Sequence, residues 1–284
     1  MKNPSSRLIF LKNKYLIVGI SLILFVLSIG MLSFTVNPKM IELGSCPPER
    51  PPSPKYILGT DSLGRDIFSC LTLGIQQSLI IGTTAGTFGI IISIIFAFIS
   101  GYKGGKADAL LRSIIDTFLV IPLWPLLIIL RGYLGSLNTF QLGLLLAAFS
   151  WPGAARAMRS QVLSLRERDF VNLAWVSGES DLEIIFKELM PNLLPYIGVS
   201  FAQSFTWSIV SEVGLELVGL GPAGSITLGL IIYYALSYGA MTGGLWWWIF
   251  PPIICIILLL IGLQLINIGL DQIYNPRLRR ITGL

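Results

Sequence analysis

Two glutamates, Glu212 and Glu216, are the only charged residues between positions 189 and 270. Side chains four residues apart share one face of a helix, so the two carboxyl groups can act together. A charge at the centre of a membrane helix costs roughly 2.5–3.5 kcal/mol, so such side chains normally face protein or water. Two interpretations stay open. The pair lines a translocation path for polar or cationic groups, or it lies at an outer rim, solvated or bonded to a neighbouring helix.

The sequence contains few residues that could serve catalysis or metal binding. The sequence has no histidine, which removes the commonest general base and metal ligand. Its three cysteines, Cys46, Cys70 and Cys255, have no metal-binding spacing, and a Cys46–Cys70 disulfide stays open beside free thiols. The glycine-rich run at 101–105 lacks the spacing of a phosphate-binding loop. We therefore expect no catalytic residue, no metal and no directly bound cofactor.

The composition indicates whether this chain is surrounded by water or by lipid. Of 284 residues, 54% are hydrophobic and 12% are charged, whereas soluble domains carry about 25% charged residues. Charge is absent from 15–34, from 67–102 and from 217–270. About 20 apolar residues cross the hydrocarbon core as a helix. We predict an all-α, polytopic transmembrane helix bundle in a lipid bilayer, with no nucleic-acid partner.

The apolar runs predict about six spans. With the N-terminus in the cytoplasm, fifteen lysines and arginines lie inside and five outside, so both termini are cytoplasmic. The uncharged stretch 226–242 is interpreted as an outer hairpin or re-entrant segment. The predicted spans are 15–34, 78–102, 113–133, 140–155, 193–220 and 245–270.

These spans divide the chain into segments. A proline-rich stretch at 47–54 is expected to be an extended spacer in the outer loop. The segments are an N-terminal cytoplasmic segment 1–14, a first transmembrane helix 15–34, an outer loop 35–77, a helical core 78–270 with a cytoplasmic loop 165–192, and a cytoplasmic tail 271–284.

The loop 165–192 contains a short helix with recognisable ends. Ser180 and Glu183 form a capping box, in which each side chain bonds a backbone N–H of the other residue. Asp181 adds negative charge where the helix dipole is positive. Pro191 is expected to stop the helix, and Gly178 to supply a flexible joint before it.

This helix is amphipathic. Its polar face carries Asp181, Glu183 and Glu188 against the single Lys187. Helices that lie on lipid usually present lysine and arginine on that face, so a protein groove is the better partner. The apolar stripe consists of Leu182, Ile185, Phe186 and Leu189.

Here the sequence resembles a known family. Residues 170–192 are similar to the cytoplasmic signature loop of ABC importer permeases, in the dipeptide/oligopeptide/nickel branch, which also includes oligosaccharide transporters. The resemblance covers 58–278 and is closest to the C-type permease. Four other motifs carry it: LGTDSLGRD at 58–66, GYKGG at 101–105, SWPGAAR at 150–156 and QVLSLRER at 161–168.

The resemblance implies a transport subunit in a prokaryotic cell membrane that is not itself an enzyme. It implies a second permease subunit as heterodimer partner, two ATPase subunits that hold ATP and Mg, and an extracellular solute-binding protein. The short helix would couple the ATPase to the translocation path as a rigid lever. Two motifs depart from the family: Asn172-Leu173-Ala174 replaces Glu-Ala-Ala, so that only its last position fits, and Glu216 stands where a small polar residue is usual.

Alternatives belong to other classes. A self-sufficient channel or secondary transporter would work without ATPase partners and often shows internal repeats, which we do not find here. A redox-enzyme membrane subunit is a poor match because no histidine is available to ligate haem. Peptide, oligosaccharide and nickel stay open as substrates.

Overall fold

The computed structural model describes residues 13–274, in which helices are joined by loops and no strand is formed. The predicted all-α class is confirmed. The basic ends on which part of the predicted topology rests, 1–12 and 275–284, lie outside the described residues. The helices are α1 Lys14–Met31, α2 Ile67–Phe98 with a π-helical end Ile99–Lys103, α3 Gly105–Val120, α4 Leu123–Leu134, α5 Thr139–Arg166, α6 Asp169–Val176, α7 Asp181–Leu217, α8 Leu228–Ser237 and α9 Trp246–Tyr274.

Four of these helices, α1, α2, α7 and α9, are long and apolar enough to cross a membrane. A fifth span results if α3 and α4 are counted as one broken segment. The predicted six spans are compatible with this count, because the 28-residue α5 covers the remaining predicted span.

Helix α2 starts eleven residues earlier than predicted. Asp66 caps it, since its carboxylate accepts a hydrogen bond from the backbone N–H of Ser69 at 2.8 Å. The outer loop therefore ends at 66 rather than 77, and the helical core begins at Ile67 rather than 78. At the other side of the bundle, α5 continues eleven residues beyond the predicted 155.

The predicted third span, 113–133, is broken. Helices α3 and α4 meet at an angle of 86° around Ile121 and Pro122. Ile121 is extended, with ψ at 129°, as expected for a residue that precedes proline. Proline within an apolar run predicts a kink, and the break falls at Pro122, where the range divides into two helices.

Polar contacts gather the loops at two ends of the bundle. At one end, Asp108 forms an ion pair with Arg159, and the hydroxyl of Tyr102 donates a hydrogen bond to Asp181. These two contacts join the basic loops that the sequence places inside. At the other end, the indole of Trp247 donates to the carbonyl of Thr60. We call these the inner and the outer end.

The stretch 226–242 does not span the membrane. Its helix α8 has ten residues, which corresponds to about 15 Å, half the hydrocarbon thickness. Ile231 of α8 packs with Ile67 and Trp248 in one buried cluster at the outer end. The short helix agrees with the predicted outer hairpin or re-entrant segment, and the side of the membrane on which it lies stays a prediction.

The outer loop is folded, so the predicted extended spacer was wrong. Backbone N–H groups of Gly44, Cys46 and Glu49 donate to the carbonyls of Leu63, Gly64 and Asp61 at 2.8–3.1 Å. These bonds tie the proline-rich side of the loop to the LGTDSLGRD motif. The three cysteines, Cys46, Cys70 and Cys255, are buried free thiols.

Small residues allow the spans to pack closely. A Cβ added to Gly82 of α2 would lie 2.8 Å from the ring of Phe205 on α7, and one added to Gly143 of α5 would lie 2.8 Å from Cβ of Thr84 on α2. Glycine at such contacts lets membrane helices approach each other. Helix α2 is thereby held between α5 and α7, the two helices that lead to the inner loop.

Candidate coupling surface and buried carboxyl pair

The predicted capping box is present at the start of α7. The backbone N–H of Glu183 donates to Ser180 Oγ at 3.4 Å, and the N–H of Ser180 donates to Glu183 Oε2 at 3.0 Å. Lys187 Nζ lies 2.9 Å from Glu183 Oε1 on the same exposed face. The local sequence therefore fixes where α7 begins.

Gly178 is a helix cap rather than a flexible joint. Its φ is 84°, a left-handed conformation that favours glycine. The N–H of Glu179 donates to the carbonyl of Ala174 at 3.1 Å, which closes the end of α6. The turn between α6 and α7 is thus a defined corner.

Pro191 does not stop the helix. The chain forms a π-helix over Ile184–Leu189 and then continues as α-helix from Met190 to Leu217. The π-helix makes Pro191 the second residue of the α-helical part, an early position at which proline is tolerated. The predicted short helix is therefore the inner end of the same continuous helix that crosses the membrane.

The predicted apolar stripe divides between two environments. Leu182 and Phe186 are 67% and 62% exposed, whereas Ile185 is half-buried. Leu189 is fully buried together with Ile184, which the stripe did not include. The π-helix changes the angular spacing of the side chains, so the sequence pattern of an ideal α-helix does not hold here.

The buried side of this corner anchors it to the bundle. Ile184 and Leu189 pack with Phe98 of α2, Val162 of α5 and Leu193 of α7 in one buried cluster. Two residues of α6, Val171 and Ala174, join the same cluster. A displacement of the corner must therefore move the inner ends of these helices with it.

The exposed side of the corner is larger than the sequence indicated. Leu173, Trp175 and Val176 of α6 are 67%, 70% and 80% exposed. Trp175-Val176 in a loop assigned to the cytoplasm was an available signal, but burial could not be read from it. We call Leu173, Trp175, Val176, Leu182 and Phe186 the inner apolar surface.

Tyr102 fixes the edge of the inner apolar surface. Its hydroxyl donates to Asp181 Oδ1 at 2.9 Å, which joins the π-helical end of α2 to the first turn of α7. The guanidinium of Arg166 lies 6.0 Å from the centroid of the same ring. The surface thus borders α2, α5, α6 and α7 at once.

At the outer end of α7, Glu212 and Glu216 are both fully buried. Ser78 Oγ of α2 donates to Glu212 Oε1 at 2.7 Å, and Thr227 Oγ1 donates to Glu216 Oε1. Oε2 of each glutamate has no hydrogen-bond partner among the described residues. In this conformation the solvated-rim interpretation is wrong, and the carboxyl groups are bonded to neighbouring segments.

Ser78 is the link between the carboxyl pair and α8. Besides donating to Glu212, its Oγ accepts a hydrogen bond from the N–H of Leu228 at 3.1 Å, in the first turn of α8. We expect Ser78→Ala to lower the free energy of unfolding by about 2 kcal/mol, because two buried polar groups lose a partner. Thermal unfolding of the full chain in nanodiscs measures this change.

Thr83→Ala is the matched control for Ser78→Ala. Thr83 lies on the same helix, but its hydroxyl is exposed and bonds the carbonyl of Leu79 in its own helix. We expect an effect of about 0.5 kcal/mol or less. Equal losses in the two variants would contradict the bridging role of Ser78.

Residues 89–280, more than half of the chain, match the family model of the binding-protein-dependent transport system inner membrane component. The chain belongs to this family. It is a multi-pass protein of the prokaryotic cell membrane and a permease subunit of a binding-protein-dependent ABC importer. As a member of this family it is a transport subunit and not an enzyme.

Curated relatives agree with the family. The chain is 30% identical over 272 residues to the dipeptide transport system permease protein DppC of Bacillus subtilis, covering 95% of this chain and 84% of the relative. It is 31% identical over 275 residues to the oligopeptide transport system permease protein OppC of the same organism, covering 95% and 88%. OppC of Mycobacterium bovis is 34% identical over 185 residues, 64% of each chain.

Proposed function

We propose that this permease subunit carries peptides and that the inner apolar surface docks an ATPase subunit. The observation that carries the docking proposal is a set of five exposed apolar side chains on a capped corner whose other side is buried in the bundle. Their exposure to water is unfavourable at about 25 cal/mol per Å² of apolar area, which a protein groove would recover. Peptide is proposed because the relatives above are named for dipeptide and oligopeptide transport.

The proposed assembly contains a second permease subunit, two ATPase subunits that hold ATP and Mg, and an extracellular solute-binding protein. This permease binds no cofactor directly. The two permease subunits each supply half of the translocation path. The solute-binding protein delivers the peptide to the outer end.

Coupling follows from the continuity of α7. Leu182 and Phe186 lie in the groove of the ATPase, and Ile185 flanks them at the edge. Because Leu189 and Ile184 are packed in the core, a force on the corner is transmitted to α2 and α5 instead of being absorbed by a loose loop. Gly178, Ser180, Asp181, Glu183 and Pro191 shape the corner and its helix rather than contact the groove.

The proposed role of the carboxyl pair in the path requires a second conformation. Glu216 is covered by α8, since a Cβ on Gly229 would lie 2.0 Å from Glu216 Oε2. Movement of α8 away from α7 would open Glu216 first and then Glu212 to the outer end. There the two carboxyl groups would meet polar or cationic groups of the cargo.

Co-purification tests the docking proposal. The permease is expressed with its partner subunits, extracted and captured through this chain, and the bound subunits are identified by mass spectrometry. We expect ATPase subunits to be retained by the wild type and lost from Trp175→Asp, because a buried carboxylate in an apolar groove is unfavourable.

Asn192→Asp is the matched control for Trp175→Asp. Asn192 is an exposed polar residue of α7 outside the inner apolar surface, so the same charge is added without loss of an apolar contact. We expect this variant to retain the ATPase. Retention of the ATPase by Trp175→Asp as well would refute docking through this surface.

A further inference from the structure

A cavity of about 710 Å³ opens at the outer end of the molecule. Its wall combines the start of the outer loop, around Ile41 and Glu42, with Arg65 and the segment from Gly219 to Tyr234. Ligand pockets commonly have volumes of about 300–1,000 Å³. The cavity is therefore large enough for one end of a short peptide.

Arg65 supplies an unusual group to this wall. The residue is only 5% exposed, its Nε donates to Asp61 Oδ2 at 2.7 Å, and its guanidinium carbon lies 4.8 Å from the ring centroid of Tyr234. Its two terminal nitrogens donate no hydrogen bond within 13–274, and neither is fully shielded from solvent. Arg65 thus lines the cavity, and the edge of its guanidinium that makes no hydrogen bond is partly open to solvent.

The unpaired N–H groups of Arg65 indicate which kind of ligand the cavity would bind. Two parallel N–H donors of a guanidinium match the two oxygens of a carboxylate, and such paired charge-assisted bonds are among the strongest in proteins. Asp61 does not fill this role, because it bonds the Nε side and accepts two backbone N–H groups with its other oxygen. The hydroxyls of Tyr233, Tyr234 and Ser225 in the same wall add hydrogen-bonding groups.

We propose that this outer cavity is a carboxylate subsite, in which Arg65 binds the C-terminal carboxylate of a short peptide as it enters the permease. The proposal rests on the proposed peptide function. It adds to that function a site on the permease itself, separate from the inner apolar surface. Glu42, exposed at the rim, repels a carboxylate and sets the strength of binding.

The test compares two peptides that differ in one group. The full chain in nanodiscs, without ATPase or solute-binding protein, is titrated calorimetrically with N-acetyl-trialanine and with its C-terminal amide. We expect the acid to bind about tenfold more tightly than the amide. In Arg65→Gln we expect the acid to bind about tenfold more weakly and the difference between the peptides to vanish.

Two further variants separate binding from folding of the loop. Arg50→Gln removes the same charge from an exposed position of the outer loop and leaves the preference for the acid unchanged. Glu42→Lys leaves Arg65 and Asp61 in place and strengthens binding of the acid several-fold, because repulsion at the rim is replaced by attraction. This second result is measurable even if Arg65→Gln disturbs the loop.

Equal binding of the acid and the amide to the wild type, including no binding of either at millimolar concentration, overturns the subsite. An unchanged preference in Arg65→Gln or no effect of Glu42→Lys does the same. Because no ATPase is present, these results leave docking at the inner apolar surface untouched. Loss of ATPase docking would likewise leave the peptide titration unchanged, so the two proposals fail separately.

Discussion

Phe186→Asp strongly lowers ATP-driven peptide uptake while leaving membrane insertion intact, if the inner apolar surface is the coupling site. Phe186 is 62% exposed and lies outside the buried cluster beneath it, so its replacement costs little folding energy. In the docked state the new carboxylate would be buried without a partner, which is strongly unfavourable. We expect uptake to fall by at least about tenfold, corresponding to a loss of about 1.4 kcal/mol in docking.

Uptake of a labelled peptide into proteoliposomes containing the assembled importer measures this effect, and ATP hydrolysis is followed in the same samples. Phe186→Leu is the matched control, because it keeps an apolar side chain at the position. We expect it to retain most of the uptake. Wild-type uptake in Phe186→Asp would remove Phe186 from the coupling site.

Asp61→Ala unfolds the outer loop locally. Asp61 is 1% exposed and holds Arg65 through one side-chain bond at 2.7 Å and one backbone bond at 2.8 Å. Removal of one partner of a buried ion pair leaves the other charge uncompensated, at a cost of about 3–5 kcal/mol. We therefore expect the loop 38–66 to open far more often than in the wild type.

Trypsin provides the measurement, because the loop carries two exposed lysines that are not followed by proline, Lys39 and Lys55. Cleavage of the full chain in nanodiscs should accelerate strongly in Asp61→Ala, since proteolysis follows the population of the open form. Glu49→Ala is the control on the same loop. Its carboxylate makes one exposed bond, with Ser62 at 2.8 Å, so cleavage should change little. Equal cleavage rates in all three proteins would show that the ion pair does not hold the loop.

Local features were predictable from the sequence because their determinants are neighbours in the chain. The capping box of Ser180 and Glu183 requires residues three positions apart, and it forms as predicted. The apolar runs set the all-helical class in the same way.

Features that depend on distant partners were not predictable. Leu189 is buried because Phe98 and Val162, far away in the sequence, cover it, whereas periodicity alone placed it beside Phe186 on one stripe. The hydroxyl that bonds Glu212 comes from Ser78, 134 positions away. The exposed face of α6 likewise could not be predicted, because it depends on which side of the helix packs against the bundle.

Errors at helix boundaries had a different cause. Pro191 was expected to end a helix, but the preceding π-helix places it in a first turn, where proline is tolerated. The start of α2 was placed at 78 because uncharged residues after Asp66 were assigned to the loop. The Asp66 cap itself was a readable signal that the prediction did not use.

Transport by reconstituted components tests the central claim most directly. Three kinds of proteoliposome are prepared: with the full chain alone, with both permease subunits, and with both permease subunits plus the ATPase and the solute-binding protein. Uptake of a labelled peptide is then measured in each, with ATP supplied on the side of the membrane that the ATPase occupies. We predict uptake in the complete assembly alone, and its loss on replacement of ATP by a non-hydrolysable analogue. Peptide uptake by this chain alone at a rate that ATP does not change would contradict the account.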